Sequence, residues 1–416
     1  MKIKMTSIVF LLISLVYVIQ ARWLYLLDIA WDRNLLIIII TLVAVFFSFV
    51  GKRKHIPTVN GLVVSFMIMM LFQIILSWEK YNQSLGATVD NASEYLVLLL
   101  IYPMCYCITS PYALEKLENV IIGIGLAVSV LLLLQTLVFQ PIGIHFISLN
   151  YSQRLGSLRY LNSSEPILFG AILACARLMR KKTNFLEKFI LLLTVILAGI
   201  ELALVNMTKA VIFSFIACLA VLIYIKITSR NHSNLARKTA VLFISLIGVY
   251  IVLNSEIVDL YLSDYSAAKN TQYDTVAIRQ NEIEYAIETL CADRLTAIVG
   301  TGFVAEDSPS SYIVNGTASK PFSRTDIGAL GFIHQFGFLG AVWILWLLWT
   351  LLKTAIYAWK NRENMYELFG IMTIFVMGLP TIFLFNGERL AYFPFFLLYL
   401  HFFSRKNYEQ YRINNN

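Results

Sequence analysis

The sequence predicts an all-α integral membrane protein of about 12 transmembrane helices, with one large extracytoplasmic loop that holds a short helix of its own. Three observations carry this. Hydrophobic residues make up 58% of the 416 and charged residues only 14%, against about 45–50% and 25% in soluble domains. Mean hydropathy is +0.71, so there are too few charges to cover a water-facing surface. The apolar residues gather in runs whose lengths centre on the ~20 residues that cross a bilayer. The net charge of +8 sits in short loops between those runs, which is membrane topology rather than a nucleic-acid-binding stripe.

Taken in order, the apolar runs fall at about 5–21, 34–50, 59–77, 94–109, 119–139, 166–179, 184–206, 209–225, 239–254, 326–352, 366–386 and 390–403. The first follows Lys2 and Lys4 like a signal peptide, but it lacks a small-x-small cleavage site and leads into further membrane, so it reads as a span. The chain thus divides into nine helices over 1–254 with a smaller external loop at 140–165, a large loop over 255–325, three helices over 326–403 and a tail from 404 to 416. With the N-terminus in the cytoplasm, 21 of the 33 basic residues fall in inside segments and 19 of the 25 acidic residues outside. The positive-inside rule selects this orientation, with both termini cytoplasmic and the large loop on the outer face.

A loop as long as 255–325 should hold structure of its own. Asp274 can cap a helix through about Cys291, with Ile283, Ala286, Ile287 and Leu290 on one face. Gly300 and Gly302 then break the chain, and a Ser/Gly/Asn-rich stretch to Ser323 reads as a mobile lid. Cys105, Cys107, Cys175 and Cys218 lie in apolar runs and Cys291 stands alone, so no disulfide or zinc spacing is present. A P-loop, a dinucleotide fingerprint, D-x-D and H-E-x-x-H are all absent. Neither a cofactor nor a metal is expected.

What the outer face offers is arginine. Arg154 and Arg159 precede Glu165–Pro166 at the start of the sixth span, Arg279 lies on the loop helix, Arg324 and Asp326 open the tenth span, and Lys209 opens the eighth. Guanidinium forks suit phosphate oxygens and stay charged at any relevant pH. One carboxylate or histidine among them, Asp326, Glu165 or His334, can take a proton from an attacking hydroxyl. Such a set suits a lipid carrying a pyrophosphate. Each residue also has a plainer reading. Single arginines in outer loops commonly anchor at the interface, Glu282 and Glu284 read as an ordinary charged helix face, and His334 suits a packing role two turns into its span. Glu201 lies inside the seventh span, where an isolated charge costs about 2.5–3.5 kcal/mol, so it calls for a partner or a water-lined cavity, which Asn206 and Lys209 are near enough along the chain to share.

In this order the motifs resemble the O-antigen polymerase and ligase superfamily, and within it the Wzy-like polymerases of O-antigen, capsule and exopolysaccharide. Three stretches carry the resemblance: Arg154 in QRLGSLRYLNSSEPILFG, Arg279 in IRQNEIEYAIETL followed by VGTGF, and TDIGALGFIHQFGFLG with Asp326, Gly337 and Gly340. Aspartate at 326, where the ligases carry histidine-asparagine, favours polymerase over ligase. The resemblance implies an inverting, metal-independent glycosyltransferase of the GT-C type in the bacterial cytoplasmic membrane. It would donate a glycan from undecaprenyl pyrophosphate to the non-reducing end of another lipid-linked repeat unit. A flippase and a chain-length regulator are the partners so implied. The rival class is a twelve-span transporter of lipid-linked glycans, but a longest loop between the ninth and tenth spans breaks the two-half symmetry that transporters show.

Overall fold

A computed structural model describes residues 4–21, 32–51, 56–144, 146–147, 151–154, 157–160, 164–180, 184–229, 275–305, 308–317, 322–361, 365–380 and 387–404. Among them the helices are α1 (Met5–Gln20), α2 (Arg33–Val50), α3 (Asn60–Tyr81), α4 (Leu85–Ser93), α5 (Ile101–Cys107), α6 (Pro111–Leu134), α7 (Glu165–Arg180), α8 (Phe185–Glu201), α9 (Lys209–Ser229), α10 (Thr275–Leu290), α11 (Arg294–Val299), α12 (Tyr312–Asn315), α13 (Ala329–Asn361), α14 (Met365–Gly378) and α15 (Phe393–Phe402). A 3-10 segment, Glu94–Leu100, joins α4 to α5, and π turns follow α6 and α8. Among the described residues one antiparallel hairpin, β1 (Tyr151–Arg154) with β2 (Ser157–Tyr160), interrupts the helices.

Six of these segments are long and apolar enough to cross a membrane: Arg33–Val50, Asn60–Tyr81, Pro111–Phe139, Phe185–Asn206, Ala210–Ile227 and Ala329–Lys360, with Met5–Gln20 and Tyr366–Gly378 as shorter apolar helices. The chain is therefore a helical, multi-pass membrane protein. Its long helices present Leu11, Phe46, Ile68, Phe189, Phe213 and Trp349 outward, as lipid-facing helices do and water-facing ones do not.

Fewer of the twelve expected runs are single spanning helices than composition implied. The run at 94–109 is a 3-10 segment followed by the short α5, and the run at 390–403 is a 3-10 turn, Gly387–Tyr392, followed by the ten-residue α15. All ten residues of α15 are buried, as is α7 from Glu165 through Arg177. These short helices form an inner layer, so their hydrophobicity reflects packing against other helices. Composition alone cannot separate that from lipid contact. The expected span at 239–254, the first part of the large loop and the tail at 404–416 (all but Ser404) lie outside the described residues.

Contacts sort the loops into two ends. At one, Lys80 pairs with Asp293 at 3.4 Å, Gln83 accepts from the Ala305 amide at 2.9 Å, Asn91 donates to the Val304 carbonyl at 3.1 Å and Arg389 pairs with Glu165 at 3.0 Å. At the other, the Thr58 amide donates to His401 at 2.9 Å, Arg177 pairs with Glu118 at 2.8 Å and Arg180 with Glu367 at 3.2 Å. Residues that the charge count assigns to one side thus contact one another.

The former end is organised by a break in α13. Gly337 has φ +63° and ψ −153°, a conformation essentially restricted to glycine. The break frees the carbonyls of His334 and Gln335, which accept at 2.9 Å from the amides of Thr301 and Gly302. Backbone groups lost by the helix are thereby satisfied from the loop. The fit is backbone to backbone: a Cβ on Gly300 would stand 2.2 Å from the Gln335 carbonyl oxygen. On its other side the loop meets α3, where Ser77 Oγ accepts from the Phe303 amide at 2.8 Å and Gln73 donates to the Val299 carbonyl.

Two local expectations need correction. The loop helix forms as α10, but its buried face carries Glu282, Tyr285 and Ala286, while Ile283 and Ile287 are exposed. Tyr285 and Ala286 pack there on Phe322 and Ile327, and that contact overrides the apolar stripe in the sequence. Asp326 does not open the spanning helix. It lies in a 3-10 turn, Arg324–Ile327, and α13 begins only after Gly328. In the Ser/Gly/Asn-rich stretch, α12 packs beside α10, with Tyr285 donating to the Tyr312 carbonyl at 2.6 Å.

Candidate functional site

The site is built around Arg324, which the turn Arg324–Ile327 holds over the broken start of α13. Its Nε donates to His334 Nδ1 at 3.3 Å, one terminal nitrogen donates to Thr301 Oγ1 at 2.9 Å and the other to the Gly302 carbonyl at 3.4 Å. All three partners are neutral, and among the described residues no carboxylate pairs with it. Burial draws its pKa from 12.5 down to about 10, opposed by the nearby Tyr95 and Tyr81 hydroxyls, so it remains charged at neutral pH. A partly buried cation with neutral partners is costly unless an anion joins it.

Beside it is a cavity of about 410 Å³, lined by Arg324, Ser323 and Thr325 from the turn and by Asn91, Glu94 and Tyr95 from the junction of α4 with the 3-10 segment. Phe303, Phe322, Asn315 and Gln335 also line it. Its size falls within the usual range of small-molecule pockets. Tyr95 donates to Gln335 Oε1 at 2.9 Å, which fixes one wall. Aromatic faces mixed with amides and charges suit a sugar phosphate.

His334 is fully buried. Its Nε2 lies 2.8 Å from Thr289 Oγ1 and its Nδ1 3.3 Å from Thr301 Oγ1, and the ring packs on Phe322 with centroids 5.1 Å apart. Glu282 of α10 is 5% exposed. One of its carboxylate oxygens accepts from the Ser323 amide at 3.2 Å, and the other has no partner among the described residues. Burial raises its pKa, and the Asp326 charge adds to this, while the Ser323 amide and Arg279 oppose it. Asp326 and Arg279 are both exposed.

The expected residues therefore fall into two groups. Arg324 and His334 share a hydrogen bond, and Asp326 and Arg279 flank the same turn through Glu282. Glu165 lies elsewhere: it is 3% exposed, heads α7 and pairs with Arg389 at 3.0 Å. Arg154 and Arg159 belong to the hairpin, whose register sets Arg154 against Ser157 and Arg159 against Ser152. Both positions are thereby on one face of the ribbon, and Tyr160 of the other face is buried. The second strand packs against the π turn Leu202–Asn206, three residues before Lys209 at the head of α9. Glu201, just before that turn, is fully buried with both carboxylate oxygens unpaired among the described residues. Asn206, one of the companions that its place in the chain supplied, is not bonded to it, and the side chain of the other, Lys209, lies outside the described residues.

Glu94, Thr301 and Arg389 were not singled out from sequence, and Glu282, expected on an ordinary charged helix face, is instead buried. Glu282 carried a usable signal, its i, i+3, i+4 spacing to Tyr285 and Ala286. Arg389 stands before the last apolar run much as Arg324 stands before the tenth. Among the described residues there is no group of three or more metal-ligating side chains. No protein-family model matches the chain, and no curated protein is significantly similar to it.

Proposed function

We propose that the chain is a polysaccharide polymerase, an inverting, metal-independent glycosyltransferase of the GT-C type. It transfers a glycan from undecaprenyl pyrophosphate to the non-reducing end of another lipid-linked repeat unit, on the outer face of the bacterial cytoplasmic membrane. The observation that carries this reading is Arg324, a charged guanidinium with neutral partners lining a 410 Å³ cavity at the loop-bearing end of the helices. Departure of a pyrophosphate develops negative charge, and a preorganised cation in a partly dry cavity stabilises it. Two of the three stretches that resemble the polymerases, VGTGF and TDIGALGFIHQFGFLG, meet around this residue. The test is glycan analysis of a deletion strain complemented with wild type or Arg324→Ala. A polymerase deletion leaves single repeat units attached to their acceptor, and Arg324→Ala fails to restore polymer. Loss of all repeat units instead identifies a ligase, and full-length polymer in the deletion strain refutes both.

A further inference from the structure

The cavity holds a second charged group of opposite sign. Glu94 opens the 3-10 segment after α4 and is half-buried, and among the described residues no side chain hydrogen-bonds or ion-pairs with its carboxylate. Among the described residues the charge that acts on it is that of Arg33, at the head of α2. Arg324 lines the same cavity and, among the described residues, has no ionic partner either, so two opposite charges share one space without pairing with each other. Such an arrangement is costly in the empty protein, and a ligand with an anionic end and a hydroxyl end relieves it. The three carboxylate and imidazole candidates from the sequence are less well placed. His334 has both ring nitrogens engaged, Glu165 is committed to Arg389, and Asp326 is exposed and does not line the cavity.

We propose that Glu94 is the catalytic base, a role that rests on the polymerase reading above. The acceptor sugar's hydroxyl gives its proton to the Glu94 carboxylate as its oxygen bonds to the anomeric carbon of the donor. The bond from that carbon to the phosphate oxygen breaks, and its electron pair leaves with the pyrophosphate, whose charge Arg324 holds. One proton, one bond formed and one bond broken balance the step, and no other co-reactant is needed. Asn91, Asn315 and Gln335 offer donors and acceptors to sugar hydroxyls, and Tyr95, Phe303 and Phe322 offer ring faces. The cavity therefore takes the reacting sugar and its phosphate, with the rest of each glycan outside it.

The experiment uses the full chain purified in lipid nanodiscs, with polyprenyl-pyrophosphate-linked repeat units extracted from a polymerase-deficient strain. Polymer formation is followed from pH 5.5 to 9 for wild type, Glu94→Gln and Glu94→Asp. Wild type loses rate on the acid side as its base protonates. In Glu94→Gln, kcat falls at least about 100-fold, KM stays within about threefold and the acid limb disappears. Glu94→Asp keeps a reduced rate and its limb moves. If Glu94→Gln retains kcat and the acid limb while wild type polymerises, Glu94 is not the base and the polymerase reading stands. If wild type forms no polymer from these units, the polymerase reading fails and this assignment fails with it. A Glu94→Gln protein that melts well below wild type leaves the decision to Glu94→Asp, where an unmoved acid limb overturns the proposal.

Discussion

Nε of Arg324 donates to Nδ1 of His334 across 3.3 Å. A guanidinium nitrogen can only donate, so Nδ1 is the acceptor and the ring proton is on Nε2, which gives it to Thr289 Oγ1 at 2.8 Å. The imidazole is thus neutral and committed at both nitrogens, and its role is to hold the arginine.

That role sets the outcome of His334 variants. Gln can keep one of the two hydrogen bonds, so His334→Gln should retain a reduced yield of polymer. His334→Ala removes both bonds and opens a void, at a cost of about 2–4 kcal/mol, and should lose polymer and melting temperature together. An inactive His334→Gln with an unchanged melting temperature would give His334 a chemical role instead.

Arginine variants separate anion binding from anchoring. Arg324→Ala should abolish polymer with membrane expression intact, and Arg324→Lys should restore little, because an ammonium cannot reach Thr301, Gly302 and His334 at once. Arg154→Ala and Arg279→Ala should act in the same direction, and Arg159→Ala less. Polymer chain-length profiles on gels check all four. Wild-type profiles from Arg154→Ala and Arg279→Ala would return those two to interfacial anchors.

The contact between α10 and the Arg324 turn should depend on pH through Glu282. Burial and Asp326 raise its folded-state pKa, so the folded protein binds this proton more tightly than the unfolded chain does. Its contribution is fully present below the unfolded carboxyl value and is lost as pH rises through the folded one. Amide protection in α10, taken relative to the intrinsic exchange rate at each pH, should therefore fall as pH rises above the ordinary carboxyl range. Glu282→Gln keeps an oxygen for the Ser323 amide and should flatten that dependence. An identical pH dependence in Glu282→Gln would place its origin elsewhere.

Topology can be read from a native thiol. Cys291 is exposed, and the other four cysteines are buried or partly so. A membrane-impermeant maleimide applied to intact cells should label the wild-type chain, and Cys291→Ser should abolish the label. Labelling only after permeabilisation would reverse the orientation and remove the outer-face site.

The interlock of Gly300 with Gly337 should tolerate no side chain. Gly300 has φ +87° and ψ −177°, so alanine there meets a strained backbone worth about 1–3 kcal/mol and a steric conflict worth a similar ~1–3 kcal/mol. Gly300→Ala should lower the melting temperature in detergent by several degrees and reduce transfer. Gly123→Ala, where a Cβ meets nothing within 4 Å, is the control.

Helical membrane character was legible because it depends on composition and run length, which survive any arrangement of helices. Span count was less so. An apolar run such as Phe393–Phe402 reads alike whether lipid or protein surrounds it, and only the packing decides. For the site, Arg324 and His334 were visible as polar residues at the head of a long apolar run. Glu94 was not, because a lone carboxylate opening an apolar segment gains meaning only from a cavity formed with residues more than 200 positions later. Glu282 was hidden by a rule that usually works: Ile283 and Ile287 form the more hydrophobic stripe, yet Tyr285 and Ala286 are the residues that pack.

Ser77 and Phe303 are 226 residues apart in the chain, as are Gln73 and Val299. During synthesis at ~5–20 residues per second, α3 enters the bilayer roughly ten to forty-five seconds before the loop that satisfies Gln73 and Ser77 exists. For that interval its two buried polar positions lack those partners, and it depends on the insertion machinery or on earlier helices for company. Biogenesis, more than the finished fold, then sets how polar positions 73 and 77 can be. A truncated nascent chain ending near residue 290 should be retained by the insertion machinery or degraded, whereas one extended past α13 should be released as a settled protein.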